Sequence, residues 1–403
     1  MKYDFTSIID RRGMDASAID SVGVSNFWMV PTAPKGGFDF IPMWVADMNF
    51  PTCPTIPAAI IERAKHPLYG YFNPRPEYYE SIIRWHKKQF GVKGLSAEHI
   101  GYENGVHGAN LNALRVLCSP GDSVLLNVPV YASFINNLKS CGYNGVFSQL
   151  IKDDSGIYRM DFVDMEKKIV ANKVHAMVFC SPQNPLGRVW ERWEIEQLME
   201  LCKKHDVYVV SDEIWADITF GHAHVPTQSV SEDARMRTIA TYAPSKTFNL
   251  AGLVGSYHII YNKLLKDRVD KESSLTHYNS MNTLSMHALI AAYKPEGYEW
   301  VNELRQVLGE NTSYAYEYVR DNFSGVEAPK PEGTYMFFLD CTEWCEKHGK
   351  DIEEVLHSGW DVGVGWQDGR PFAGPHHIRM NLAVPTARVK EAFDRLDKYV
   401  FNV

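Results

Sequence analysis

Ser245-Lys246-Thr247-Phe248-Asn249-Leu250-Ala251-Gly252, directly after the apolar run Thr238-Ile239-Ala240-Thr241-Tyr242, decides how this chain is read. A lysine at the mouth of a buried strand is costly unless something neutralises it or uses its amine. One use fits: covalent attachment to an aldehyde cofactor, for which desolvation helps to supply the free amine. Two segments upstream share the same setting. Ser181-Pro182-Gln183-Asn184-Pro185-Leu186-Gly187-Arg188 follows the apolar run 174–180, and Ser211-Asp212-Glu213-Ile214 follows Val207-Tyr208-Val209-Val210.

Working outward, the strand-like runs 123–128, 176–180, 207–210, 238–242 and 257–261 are apolar nearly throughout. Between two of them, Ile195, Leu198, Met199 and Cys202 recur at helical spacing. Uniformly apolar strands separated by helices predict a parallel sheet covered on both faces. The last ~110 residues differ: helical stretches near 295–322 and 385–399 flank short strand-like pieces such as Thr334-Tyr335-Met336-Phe337-Phe338-Leu339, which predicts a smaller α+β domain. The first ~45 residues are irregular and rich in turn formers.

Composition narrows the function classes. With 403 residues, 45 % hydrophobic and 22 % charged, the chain reads as an ordinary globular protein of two or three domains. Net charge is -8 and Lys/Arg form no cluster, so no nucleic-acid partner is expected. The start, Met1-Lys2-Tyr3-Asp4-Phe5, lacks an apolar signal core, and no apolar run approaches about 18 residues, so no membrane span is expected. Seven scattered cysteines, several inside apolar runs, predict reduced buried thiols and a cytoplasmic protein. Cys341 and Cys345 would suit a metal pair on a helix, but no second ligand pair stands nearby, so no metal site is predicted.

The three segments, in this order and spacing, resemble the pyridoxal-phosphate enzymes of the aspartate aminotransferase superfamily over nearly the whole chain. The similarity is strongest to the MalY/PatB group of cystathionine β-lyases and C–S lyases. It implies an α/β fold with a mostly parallel seven-stranded sheet in a large cofactor-binding domain (48–290). A smaller α+β domain is expected from 1–47 and 291–403. It also implies a homodimer with shared active sites, and pyridoxal 5′-phosphate as cofactor.

The site residues follow from chemistry and resemblance together. Lys246 is the amine. Asp212, at the end of a strand, is placed to keep the ring nitrogen protonated; an Asp-Glu helix start is the ordinary alternative, and fits Glu213. Asn184 lies in a turn-forming Gln-Asn-Pro, and the resemblance assigns it the hydrogen bond to the phenolate oxygen. Glu103-Asn104-Gly105-Val106-His107-Gly108 precedes an expected helix at 109–117, where free backbone N–H groups form an anion site. The resemblance carries Gly105, Val106 and His107 over as phosphate contacts, with Ser245 as hydroxyl donor. Tyr131 is the stacking ring and also borders the substrate. Such an aromatic pair is worth roughly 0.5–1.5 kcal/mol beyond burial.

Two positions depart from the aminotransferases. Many of them carry an arginine where this chain has Val254, and the C–S lyase group lacks it too. At position 215 they have tyrosine and the C–S lyases histidine; Trp215 can only donate, and leaves the reaction open. At the substrate end, Arg379 interrupts an apolar run, and its planar fork suits an α-carboxylate; a structural ion pair is the alternative. Ala46, in Val45-Ala46-Asp47-Met48, matches a pocket-lining segment, and Thr334-Tyr335 a further loop near the site. Tyr71, in Tyr69-Gly70-Tyr71, matches a tyrosine that reaches a neighbouring subunit's cofactor. The expected activity is C–S β-elimination on cystathionine or a related cysteine conjugate, with amino-group transfer as the alternative. No added binding module marks a purely regulatory protein.

Overall fold

The computed structural model describes residues 1–24, 30–276 and 279–402. The chain divides into two compact units. One comprises Thr52–Gln183 and Arg188–Asn302; the other comprises Met1–Pro51, Asn184–Gly187 and Glu303–Val403.

The larger unit is organised by the apolar runs. In chain order its strands are β1 (Ile100–Asn104), β2 (Ser123–Val128), β3 (Asn144–Lys152), β4 (Tyr158–Met160), β5 (Ala176–Cys180), β6 (Tyr208–Asp212), β7 (Thr238–Tyr242) and β8 (Gly255–Ile259). They form one 8-stranded sheet in the order β1-β8-β7-β6-β5-β2-β3-β4. The neighbours β7, β6, β5, β2 and β3 run parallel, whereas β8 is antiparallel to both its neighbours. Every residue of β5 and β7 is buried, as expected for strands covered on both faces. β4, the strand added to the expected seven, is a three-residue antiparallel edge on β3. β3 alternates buried and exposed side chains, so this border of the sheet is covered on one face only.

Helix signals sit where the physics requires them. Helix α1 (Pro76–Phe90) opens on a proline, whose missing N–H costs nothing in a first turn, and closes on left-handed Gly91. Helix α2 (Val106–Leu117) begins three residues before the expected start, because Gly105 at φ 77° turns the chain straight out of β1. Helix α3 (Arg192–Lys204) buries Ile195, Leu198, Met199 and Cys202, and its start is closed by a reciprocal Glu191–Glu194 capping box. Helix α4 (Pro295–Asn322) crosses the boundary between the units in sequence. Its first turns supply Tyr298, stacked on Trp85, and Trp300, stacked on Phe248. In this part of the chain the two compact units divide at 302/303.

The smaller unit holds a 3-stranded antiparallel sheet, β9 (Met336–Asp340), β10 (Gln367–Asp368) and β11 (His377–Asn381), with β11 in the centre. Ile41–Pro42 pairs parallel with Val364–Gly365, tying the early chain to this unit. Its core gathers Phe337, Leu339, Trp344, Trp366 and Phe393, with the Cys341 and Cys345 thiols among them. All seven cysteines are free. Among the described residues, no helix is long and apolar enough to cross a membrane.

Candidate active site

In the larger unit, the parallel register brings strand ends together. Cys180 of β5 pairs with Asp212 of β6, which pairs with Thr241 of β7. After β7 the chain turns into the short helix Pro244–Thr247, which contains Lys246. Carboxyl ends of adjacent parallel strands share one edge, the usual place for a ligand in such sheets.

Asp212 is only 4 % exposed. Its carboxylate accepts from Asn110 Nδ2 at 2.9 Å and from the Ile214 N–H at 3.2 Å. Asn110 is in turn fixed by the Thr241 hydroxyl at 2.9 Å. Burial pushes the Asp212 carboxyl up to about 6, with the Ile214 N–H, Asn110 and the charge of Lys246 pulling it back. It remains mostly ionised at neutral pH, yet poorly solvated, which suits a cationic ring nitrogen as partner. Lys246 Nζ lies 5.6 Å from the ring centroid of buried Trp215. The short helix is anchored one residue further on: the Thr247 hydroxyl donates to Asp217 at 2.9 Å, and the other Asp217 oxygen receives the Trp85 indole N–H at 3.0 Å.

The helix α2 start has the geometry of an anion site. Gly105 adopts φ 77° and ψ 150°, a conformation that disfavours any side chain. The N–H groups of Val106 and His107 lie in the first turn, where no intrahelical acceptor exists and the helix end is positive. The His107 ring sits 5.2 Å from the Tyr131 ring, tilted by 33°. Burial, then the nearby Lys246 charge, lowers His107 to about 4, so it is neutral and aromatic in character. Amine, buried carboxylate, aromatic pair and helix start are the donor set that pyridoxal phosphate requires, and the residues fit it.

The smaller unit carries the arginine. Arg379, on β11, is 2 % exposed. It donates to Asn184 Oδ1 at 3.3 Å, to the Trp44 carbonyl at 3.4 Å and to Gln367 Oε1. Its guanidinium lies 4.3 Å from the Phe372 ring centroid. With the Asn184 oxygen facing arginine, the amide NH2 is left as donor, the polarity expected for it. The Asn184–Gly187 segment is held by Gly187, whose carbonyl accepts from Glu332 and Gly333 N–H at 2.8 and 2.9 Å. A Cβ on Gly187 would fall 2.9 Å from the Gly333 oxygen, so only glycine fits there. Ala46 is pinned through its carbonyl by the Tyr335 hydroxyl at 3.1 Å, and its neighbours Val45 and Asp47 by Asn381 at 2.7 and 2.5 Å.

Lys246, Asp212, Trp215, His107, Tyr131, Gly105 and Val106 thus fall in the larger unit, with Ser245 beside the lysine; Arg379, Asn184 and Ala46 gather in the smaller. Tyr71 is not drawn in with either group: it is fully exposed in an irregular segment with Leu68, Tyr69 and Phe72. Sequence reading missed Asn110, Thr241, Asp217 and Gln367. Asn110 had a signal, since a polar residue between Ala109 and Ala113 interrupts the buried face of α2. Gln367 had none.

The family model for aminotransferase class I and II matches residues 39–396, and the chain belongs to that family. Cystathionine beta-lyase PatB of Bacillus subtilis is 31% identical over 365 residues, covering 90% of this chain and 92% of that protein. The PLP-bound C-S lyase from Staphylococcus hominis matches with TM-score 0.87 and 30% identity over 98% of both chains. Cystalysin from Treponema denticola, whose structure contains pyridoxal 5′-phosphate, gives TM-score 0.89 and 30% identity over 99% of this chain and 98% of that one. The fold is that of the pyridoxal-phosphate aminotransferase-like enzymes, and the cofactor is pyridoxal 5′-phosphate.

Proposed function

We propose that the chain is a C–S β-lyase that cleaves cystathionine or a related cysteine S-conjugate to a thiol, pyruvate and ammonia. The observation behind the choice of reaction is position 254. Val254 stands next to Gly105, its Cγ1 3.9 Å from where a Gly105 Cβ would be, and a valine side chain has no guanidinium to offer there. The likeness to PatB and to the C–S lyase structures supports the same choice.

When bound, the cofactor supplies an electron sink for the pair left at the substrate Cα. The chain's own residues do the rest. Arg379 takes the α-carboxylate in its planar fork, with Gln367, Asn184 and the Trp44 carbonyl holding the fork still. Lys246, its amine free, would take the Cα proton at Nζ. That proton is then available to the departing sulfur. Ionised Asp212, steadied by Asn110 and the Ile214 N–H, holds the positive charge that makes the sink effective. Val106 and His107 N–H groups and Ser245 would hold the phosphate, and Tyr131 would cover the ring.

Assembly as a homodimer with shared sites is part of this reading. It is supported by the exposed apolar segment Leu68, Tyr69, Tyr71 and Phe72, which a second subunit would cover. Free thiols throughout support a cytoplasmic setting. Incubation with cystathionine, and separately with an amino acid plus a keto acid, tests the function. Pyruvate and thiol from the first are expected; a transaminated product from the second, without pyruvate from the first, would make the enzyme an aminotransferase. Mixing Tyr71→Phe and Lys246→Ala proteins should restore part of the activity, and no recovery after subunit exchange would refute shared sites.

A further inference from the structure

The larger unit contains a second cavity, of about 410 Å³, that shares no lining residue with the Lys246 and Asp212 cluster. Its lining includes Lys93, Arg192 and Arg235, and no carboxylate among the described residues. The carboxylates that do meet the two arginines are themselves solvent-exposed: Glu196 pairs with Arg192 at 3.6 Å, and Glu232 with Arg235 at 3.5 Å. Lys93 forms no ion pair among the described residues. Three cations around a concavity repel one another, and a solvated surface pair offsets little of that.

The floor of this cavity is built rather than incidental. His224 is 8 % exposed and donates its Nε2 side to Glu213 Oε2 at 2.7 Å. Glu213 is otherwise saturated, by the Tyr242 hydroxyl at 2.6 Å, the Ser211 hydroxyl at 2.9 Å and the Thr227 N–H at 3.0 Å. Burial alone would raise the Glu213 carboxyl, but His224, Tyr242 and the Thr227 N–H outweigh it and hold it below the usual range. Glu213 is therefore a carboxylate that keeps His224 Nε2 as a donor. That leaves Nδ1 as an acceptor, buried and with no partner among the described residues, on a side chain that lines the cavity. Arg235 Nε is buried without a partner as well. A buried polar atom left unmatched is costly, so the unmatched Arg235 Nε donor beside a charged concavity points to a missing acceptor. The remaining walls are aromatic: Phe90 packs edge-on against His224 at 5.3 Å, and Tyr261 lies under Arg235 at 5.2 Å.

We propose that this cavity binds a small organic anion, a carboxylate or phosphate monoester on an aromatic body. The anionic group sits among Lys93, Arg192 and Arg235, and the ring rests on Phe90 and Tyr261. The site is separate from the reaction centre and does not depend on which reaction that centre performs.

The test uses holoenzyme with its cofactor in place, titrated calorimetrically with benzoate and with phenyl phosphate. One of the two is expected to bind once per chain, and whichever binds more tightly identifies the anionic group. The double variant Lys93→Ala/Arg235→Ala should weaken that binding at least about tenfold, the scale of one lost charged hydrogen bond. Cofactor absorbance and turnover should be unchanged, which verifies that the variant is folded. The proposal is overturned if neither probe binds at up to about 10 mM. It is equally overturned if binding is indifferent to the two substitutions, as it would be for a probe captured at Arg379.

Discussion

The residues proposed to hold the cofactor, in the larger unit, and those proposed to hold the substrate, in the smaller, are each gathered within their own unit by different rules. In the larger unit, Gly105, Tyr131, Asp212 and Lys246 stand at, or a few residues beyond, the carboxyl ends of β1, β2, β6 and β7. Chain position nearly suffices to place them, because parallel strands deliver their ends to a common edge. In the smaller unit, Arg379 sits in the middle of an antiparallel strand, and its partners come from positions 44, 184 and 367. No local rule gathers those residues. The first arrangement is tolerant of the rest of the fold; the second exists only when three distant segments are packed.

If that contrast is right, substitutions in the two halves should fail differently. Lys246→Ala should have the largest effect, a loss of turnover of at least about 10³-fold together with the visible absorbance of the lysine-linked cofactor. Retention of that absorbance would remove Lys246 from the centre of the account. Arg379→Ala should weaken substrate by about 1.5–3 kcal/mol, or roughly tenfold to a hundredfold in KM, with cofactor binding intact. A loss seen in cofactor affinity instead would blur the division between the halves.

Asp212→Asn should separate function from stability. The Asp212 carboxyl titrates at about 6 rather than 3.8, so in the apoprotein its contribution is fully present below pH 3.8 and lost as pH rises through about 6. The asparagine variant of the apoprotein should therefore be more stable than the parent by about 1–3 kcal/mol at pH 8. The gap should close as pH is lowered towards 4. Urea unfolding of both apoproteins at pH 8 and pH 5 measures it; an equal gap at both would refute the assignment. The smallest effect is expected at Val254, a branched residue held at φ 61° and half-exposed. Val254→Gly should stabilise the chain by about 0.5–1 kcal/mol, because glycine adopts that conformation without strain. A lowered thermal midpoint would show that the valine side chain is needed where it is.

Much of this was legible beforehand, and particular residues show why. The largely apolar runs at 176–180 and 238–242 pointed to a doubly covered parallel sheet, and both strands are buried throughout. Asp212 and Lys246 were identifiable because a charge at the end of such a run has to be explained. The β4 edge strand was not, since three residues give too short a period to detect. Asp217 and Thr247 escaped because their meaning is a mutual hydrogen bond across thirty positions of sequence. The Glu213–His224 pair escaped for the same reason, Glu213 having read as an ordinary helix start.

From residue order alone came the alternation of buried strands and helices, and with it the strand-end positions of the lysine and the aspartate. Hydrophobic periodicity and backbone chemistry act over short spans, so they can be read in one dimension. Which oxygen faces Arg379, how Asn110 steadies Asp212, and where His224 is left unmatched depended on packing between remote segments. Burial and hydrogen-bond geometry exist only once the chain has closed on itself.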